Sequence, residues 1–197
     1  MDKTLLIIII VILSLVFLLT ILLNLKIFDL TKKIREKFKR LLSRNKAQSV
    51  IDMITNITSA TTYLSDNGHG SIIVVQRKDD VEPLFMDSQI LDAKINSNLL
   101  INIFSGEESQ PLHDGALVIR DGRIAFANAF VKKLTKTKVD KKYGARHRAA
   151  FGLSEQCDAI VLITSEERKG VSIAMNGKIK TVGTDKLFDE LSEIIVG

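Results

Sequence analysis

The sequence predicts an α/β domain with a mixed central β-sheet flanked by helices, preceded by one transmembrane helix. Three observations carry this expectation. Leu5 to Leu23 is a run of nineteen residues of Leu, Ile, Val and Phe, broken only by Ser14 and Thr20. Farther along, short strand-like apolar runs alternate with stretches whose apolar residues recur every three or four positions. Two pairs of strand-like runs are joined by Asp121-Gly122 and Asn176-Gly177, dipeptides suited to two-residue hairpins. Hairpins impose antiparallel pairing, whereas strand–helix–strand alternation brings parallel pairing, so the sheet should contain both.

The first element is the apolar run. At 1.5 Å per residue it nearly spans a hydrocarbon core of ~30 Å, and Leu25 and Ile27 extend it. A cleaved signal peptide fits poorly. The run is too long, Met1–Thr4 carries no net positive charge, and no small-x-small cleavage site follows. Residues 1–25 are therefore expected to be a retained anchor in the cell membrane. Residues 26–46 hold nine lysines and arginines against Asp29 and Glu36, a local charge of +7. The positive-inside rule then places residues 26–197 in the cytoplasm, with the basic residues close to anionic lipid headgroups. Residues 47–197 carry eighteen basic and twenty acidic side chains, so the overall +5 does not make the main domain a nucleic-acid binder.

Ile27, Leu30, Ile34, Phe38 and Leu41 form one apolar stripe, predicting a basic juxtamembrane helix over 26–46. A polar break at Ser43–Lys46 separates it from Val50, Met53 or Ile54, and Ile57, the first helix of a domain covering 47–197. After a turn at Asp66-Asn67-Gly68-His69-Gly70 comes a buried strand, Ser71–Gln76. Residues 88–104 read as a helix through Leu91, Ile95, Leu99, Leu100 and Ile103. Ala116–Arg120 and Arg123–Phe130 read as a hairpin, Ala145–Cys157 as a helix, and Ala159–Thr164 as a buried strand. Val171–Met175 and Lys178–Val182 form a second hairpin, and Lys186–Val196 is a closing amphipathic helix. The lone cysteine, Cys157, excludes an internal disulfide and suits a reducing compartment; with no cation beside it, it reads as inert.

Polar residues interrupt this pattern where sheets commonly hold ligands, at strand ends. In Leu112-His113-Asp114-Gly115-Ala116, the adjacent His113 and Asp114 can both reach a divalent cation, and Gly115 allows close backbone approach. The fragment alone suits a solvated turn better. In Gly144-Ala145-Arg146-His147-Arg148, two arginines at a helix N-terminus match phosphate oxygens, although such a string is often only solvated charge. In Ser165-Glu166-Glu167 either glutamate could join a metal shell, hold an arginine or simply face water. A carboxylate for metal and arginines for phosphate are together the components of nucleotidyl transfer.

Leu-His-Asp-Gly-Ala at 112–116 and Arg-His-Arg at 146–148 resemble the two signature motifs of the diadenylate cyclase domain. The resemblance extends over roughly residues 50–182, through 97–104, 148–155, Ser165-Glu166-Glu167 and 170–178. The layout is similar to the single-span, membrane-anchored type of mycoplasma-like bacteria. This resemblance implies an enzyme that condenses two ATP into cyclic di-AMP, with release of two pyrophosphates, across a face-to-face homodimer. It implies Asp114, His113 and Glu166 as metal ligands, with Asp114 also assisting loss of the 3′-hydroxyl proton. Arg146, His147 and Arg148 would hold phosphates, and Gly115, Ala116, Phe130, Ser165 and Glu166 would complete the ATP site. Phe130 also reads as core. Mg²⁺, Mn²⁺ and Co²⁺ all suit such oxygen and imidazole ligands. Two features depart from the family pattern. Ala145 stands where threonine is common, removing a hydroxyl, and the 132–143 loop is rich in lysine. The rival expectation is a membrane-anchored nucleotide sensor of the same fold without catalysis.

Overall fold

The computed structural model describes residues 3–106, 112–132, 143–166 and 169–196. The chain divides into two compact units, Met1–Gln48 and Ser49–Gly197. The first is wholly helical where described, and it belongs to α1 (Lys3–Asp66), a helix of 64 residues. Its apolar part makes α1 long and apolar enough to cross a membrane, with a mean hydropathy of 2.1 over its best window. The expected break at Ser43–Lys46 does not occur. These residues are polar, but none is proline or glycine, and the Ser43 hydroxyl donates to the Arg40 carbonyl within the helix (2.9 Å). Polarity alone does not stop a helix whose backbone bonds remain intact.

The second unit is a mixed sheet between helical layers. Its strands are β1 (Ser71–Val75), β2 (Phe85–Met86), β3 (Gln89–Lys94), β4 (Ala116–Arg120), β5 (Arg123–Val131), β6 (Ile160–Thr164), β7 (Val171–Met175) and β8 (Lys178–Val182). They lie in the order β2-β5-β4-β1-β6-β7-β8, with β3 also pairing β5. β1 and β4 run parallel, and every other pair is antiparallel. The remaining helices are α2 (Ser97–Ser105), α3 (Ala145–Ser154) and α4 (Leu187–Val196), the last preceded by a 3-10 turn at Thr184–Lys186.

Alternation along the central strands builds two cores. Ile73, Val75, Leu117, Ile119, Ile160 and Leu162 pack with Ile54, Ile57 and Leu64 of α1, Leu100 and Ile103 of α2, and Leu187 and Leu191 of α4. Ile72, Val74, Ala116, Val118, Val161 and Ile163 face the other way, against Ala150 and Leu153 of α3. Burial on both faces is why these strands read as continuous apolar runs rather than alternating ones.

One expected element is wrong. Residues 88–104 are not a single helix but the edge strand β3 followed by α2. Asn96 makes the division: it is extended, and its side-chain oxygen accepts from the amides of Asn98 (3.0 Å) and Leu99 (3.3 Å), a helix N-cap. Upstream, Asp92 has φ 42° at a bulge against β5, and its carboxylate pairs with Arg123 (2.6 Å). The four-residue spacing of Leu91, Ile95 and Leu99 thus crosses a strand and a helix by coincidence.

Candidate active site

The site begins where β4 begins. Asp114 is exposed and His113 half-buried, in the turn that leads into Ala116, the first residue of β4. Gly115 between them has φ +94°, a left-handed conformation that side chains resist. A Cβ there would lie 2.9 Å from the Ala129 amide nitrogen and 3.0 Å from the Asn128 carbonyl carbon. β5 is bulged just beside this contact, opposite Leu117. Ala116 pairs with Ala129 but Val118 with Phe126, leaving one extra residue on β5, and Asn128 takes φ 53°.

Beyond the bulge, Ala129, Phe130 and Val131 form one wall of a cleft of about 400 Å³. Ile72, Met86, Ala116 and Ala149 give it an apolar lining, with Asp114, Gly115, Ala145 and Arg146 completing it. A flat apolar group with polar atoms at one end matches this lining. Phe130, which also reads as core in the sequence, is half-buried on the cleft wall.

α3 supplies the polar side. Gly144 precedes its first turn without a side-chain cap, and that turn has no acidic residue. The uncapped helix start and the helix dipole therefore favour an anion. Gly144, Ala145, Arg146 and His147 line a smaller niche, about 180 Å³, with Thr164, Ser165 and Glu166 at the end of β6. Ala145 and Arg146 belong to both cavities. The Arg146 Nη1 donates to Glu166 Oε1 at 2.6 Å. His147 is buried and lies against the Tyr143 ring, with centroids 5.0 Å apart. Arg148 is exposed, and its Nη1 donates to the Tyr143 carbonyl (3.0 Å), fixing the chain that enters α3.

The structure therefore gathers Asp114, Gly115, Ala116, Phe130 and Arg146 around the cleft, and Arg146, His147, Ser165 and Glu166 around the niche. His113 and Arg148 line neither cavity. Among the described residues, no three His, Cys, Asp or Glu side chains come together as a metal cage. His113 and Asp114 are adjacent in one turn, while Glu166 sits in the niche against Arg146. Glu167 and lysines 133–142 of the lysine-rich loop lie outside the described residues. Sequence reasoning missed Ile72, Met86, Ala129, Val131 and Ala149, which look like ordinary core positions. It also missed Thr164, whose hydroxyl donates to the His69 carbonyl (2.7 Å) beside the niche.

A mixed α/β sheet with an apolar cleft, a cationic helix start and a carboxylate at the cleft defines a nucleotide-binding domain. Comparisons with known proteins agree. A family model described as "DisA bacterial checkpoint controller nucleotide-binding" matches residues 58–179. Diadenylate cyclases of Mycoplasma genitalium and Mycoplasma pneumoniae are each 38% identical over 138 residues. That alignment covers 69% of this chain, and 68% and 67% of the relatives respectively. The crystal structure of a double mutant of DacA from Staphylococcus aureus superposes with a TM-score of 0.68 at 31% identity, over 74% of this chain and 97% of that one. The crystal structure of a hypothetical membrane spanning protein from Bacillus cereus superposes with a TM-score of 0.61 at 41% identity, over 66% of this chain and 62% of that one. The chain belongs to the diadenylate cyclase family.

Proposed function

We propose that the chain is a membrane-anchored diadenylate cyclase that joins two ATP molecules into cyclic di-AMP at the cytoplasmic face. The observation that carries this is that Arg146 lines both the apolar cleft and the polar niche, in a chain of this family. Adenine and ribose occupy the cleft against Phe130 and Ala116, and the triphosphate extends past Arg146 toward the first turn of α3. Asp114 then lies on the nucleoside side, where a 3′-hydroxyl would be, and Arg146 on the phosphate side.

In the reaction, the 3′-hydroxyl oxygen of one ATP attacks the α-phosphorus of the other. The bond to the bridging α–β oxygen breaks, pyrophosphate leaves, and the hydroxyl proton passes to the Asp114 carboxylate. The same step in the opposite direction closes the ring and releases a second pyrophosphate. Arg146, with His147 and the α3 amides, offsets charge on the triphosphate. One cleft and one niche provide for one nucleotide, so a second copy of the chain must present the other, face to face. In-line placement by two rigid domains supplies most of what the chemistry requires.

Asp114, with His113 beside it in the same turn, would hold a divalent cation, the carboxylate oxygen suiting Mg²⁺ or Mn²⁺ and the imidazole a softer ion. Such a cation, when bound, supplies charge neutralisation and eases loss of the hydroxyl proton. Glu166 orients the Arg146 guanidinium through Oε1 in the observed arrangement, which leaves its second carboxylate oxygen for a metal. The positive residues after the apolar segment support an inside-facing domain and contact with anionic lipid.

The test is incubation of the full chain, in detergent micelles, with ATP and either Mg²⁺ or Mn²⁺. Chromatography should show cyclic di-AMP and pyrophosphate in a ratio of one to two. The sensor reading is favoured by Ala145, which brings no hydroxyl to either cavity. Folded chain that binds ATP but gives no product with either metal would establish that reading instead.

A further inference from the structure

Gly70 is buried immediately before β1, and the conformation of its backbone does not demand glycine, since its φ lies outside the left-handed range. Space demands it. A Cβ at this position would lie 2.8 Å from Arg146 Cζ and 2.8 Å from Glu166 Oε1, closer than real Cβ contacts come. The ion pair that links cleft and niche thus rests directly on a bare stretch of main chain.

That stretch is held on both sides. The Thr164 hydroxyl donates to the His69 carbonyl (2.7 Å), which leaves the Ser71 hydroxyl to donate to Thr164 Oγ1 (2.8 Å). Ser71 and Thr164 are almost wholly buried, and they are also partners in the β1–β6 register. Residues 69 and 71 are therefore tied to one side chain of β6, and the peptide between them has little freedom to sink. On the other side of the contact stand the far ends of two flexible side chains. An added methyl group would leave the backbone in place and displace the ion pair.

We propose that Gly70 is a positioning residue: its missing side chain sets the seat of the Arg146–Glu166 pair and, through it, the depth of the phosphate niche. The assignment rests on the reading of the chain as a diadenylate cyclase. With a methyl group at position 70, the guanidinium is lifted off its seat into the niche. The pair cannot then keep both its mutual bond and its present position above β1.

A double-mutant cycle on the full chain tests this. Cyclic di-AMP formation and the melting temperature are measured for the parent, Gly70→Ala, Glu166→Ala and the double variant. Gly70→Ala is expected to lower kcat/KM for ATP at least tenfold while moving the melting temperature by less than about 5 °C. In the Glu166→Ala background, where half of the obstructing pair is absent, the same change should cost less than threefold. Gly70→Ala activity within twofold of the parent would overturn the proposal. So would an equal loss in both backgrounds, or a fall in melting temperature above 10 °C, since either places the effect in the fold rather than the pair. If the parent binds ATP without cyclising it, the functional reading fails separately. The same cycle, read as ATP affinity, then decides the role of Gly70.

Discussion

Asp114 is exposed at the cleft and comes from a turn that glycine alone can make, so replacing its carboxylate tests chemistry without disturbing packing. Asp114→Asn is expected to lower cyclisation by on the order of 10²–10⁴-fold, as for loss of a general base, with an unchanged melting curve. Product chromatography beside thermal melting checks both parts. Two groups remote from the site have shifted titrations. Burial raises the Cys157 thiol above its ordinary value, with the charges of Asp79 and Asp158 adding to the effect. Its thiolate is scarce at neutral pH, so alkylation by iodoacetamide at pH 7.5 should be much slower in the folded chain than after denaturation. At Asp158 burial pushes the carboxyl up, but amide hydrogen bonds from Asp79 and Lys78 and the charges of Arg77 and Lys78 bring it net below its ordinary 3.8. A lowered folded-state value contributes stability above the unfolded value and loses it as pH falls through the folded one. Asp158→Asn should therefore reduce stability at pH 7 and flatten its decline below about pH 4, as followed by urea melts across pH.

Elements carry the geometry of the site more than single residues do. Asn128 sits at positive φ in the β5 bulge, and Gly115 lies against the neighbouring Ala129 backbone, so Asp114 and the cleft wall start from adjoining pieces of two paired strands. Asn128→Val should cost ~1–3 kcal/mol by forcing a β-branched residue into that conformation, whereas Asn128→Gly should be nearly neutral. Urea denaturation of both variants distinguishes this from a simple loss of side-chain contacts. Bulges are also where the sequence was least readable. The paired hairpins, the buried strands and α3 were legible, because apolar periodicity and Asn-Gly or Asp-Gly turns act locally. The edge strand β3 was not, since none of its residues is buried, the apolar Ile90 faces solvent and a bulge at Asp92 interrupts its pairing. The site divides in the same way. Asp114 and Arg146 are visible because charge interrupts apolar runs, whereas Ile72 and Ala129 belong to the cleft only through pairing between distant strands.

At the scale of the whole molecule, the proposed reaction, shared between two copies of the chain, would make activity depend on encounter. Specific activity of the detergent-solubilised chain should fall on dilution as dimers separate, and reconstitution into vesicles at the same total concentration should restore it by confining chains to a surface. Equal specific activity at all dilutions, from chains shown by light scattering to be monomeric, would contradict a reaction shared between copies. Sheet order has a further consequence, for biosynthesis. β1 follows the long N-terminal helix directly, yet it ends up between β4 and β6, with Ile73 beside Leu117 on one edge and Leu162 on the other. Its Ser-Ile-Ile-Val-Val segment leaves the ribosome well before either neighbour exists. At ordinary translation speeds the second edge waits roughly 5–20 s for its partner. During that interval the nascent chain displays a sticky, unpaired β-segment. A strand wholly buried and paired on both edges in the finished protein is thus left exposed during synthesis.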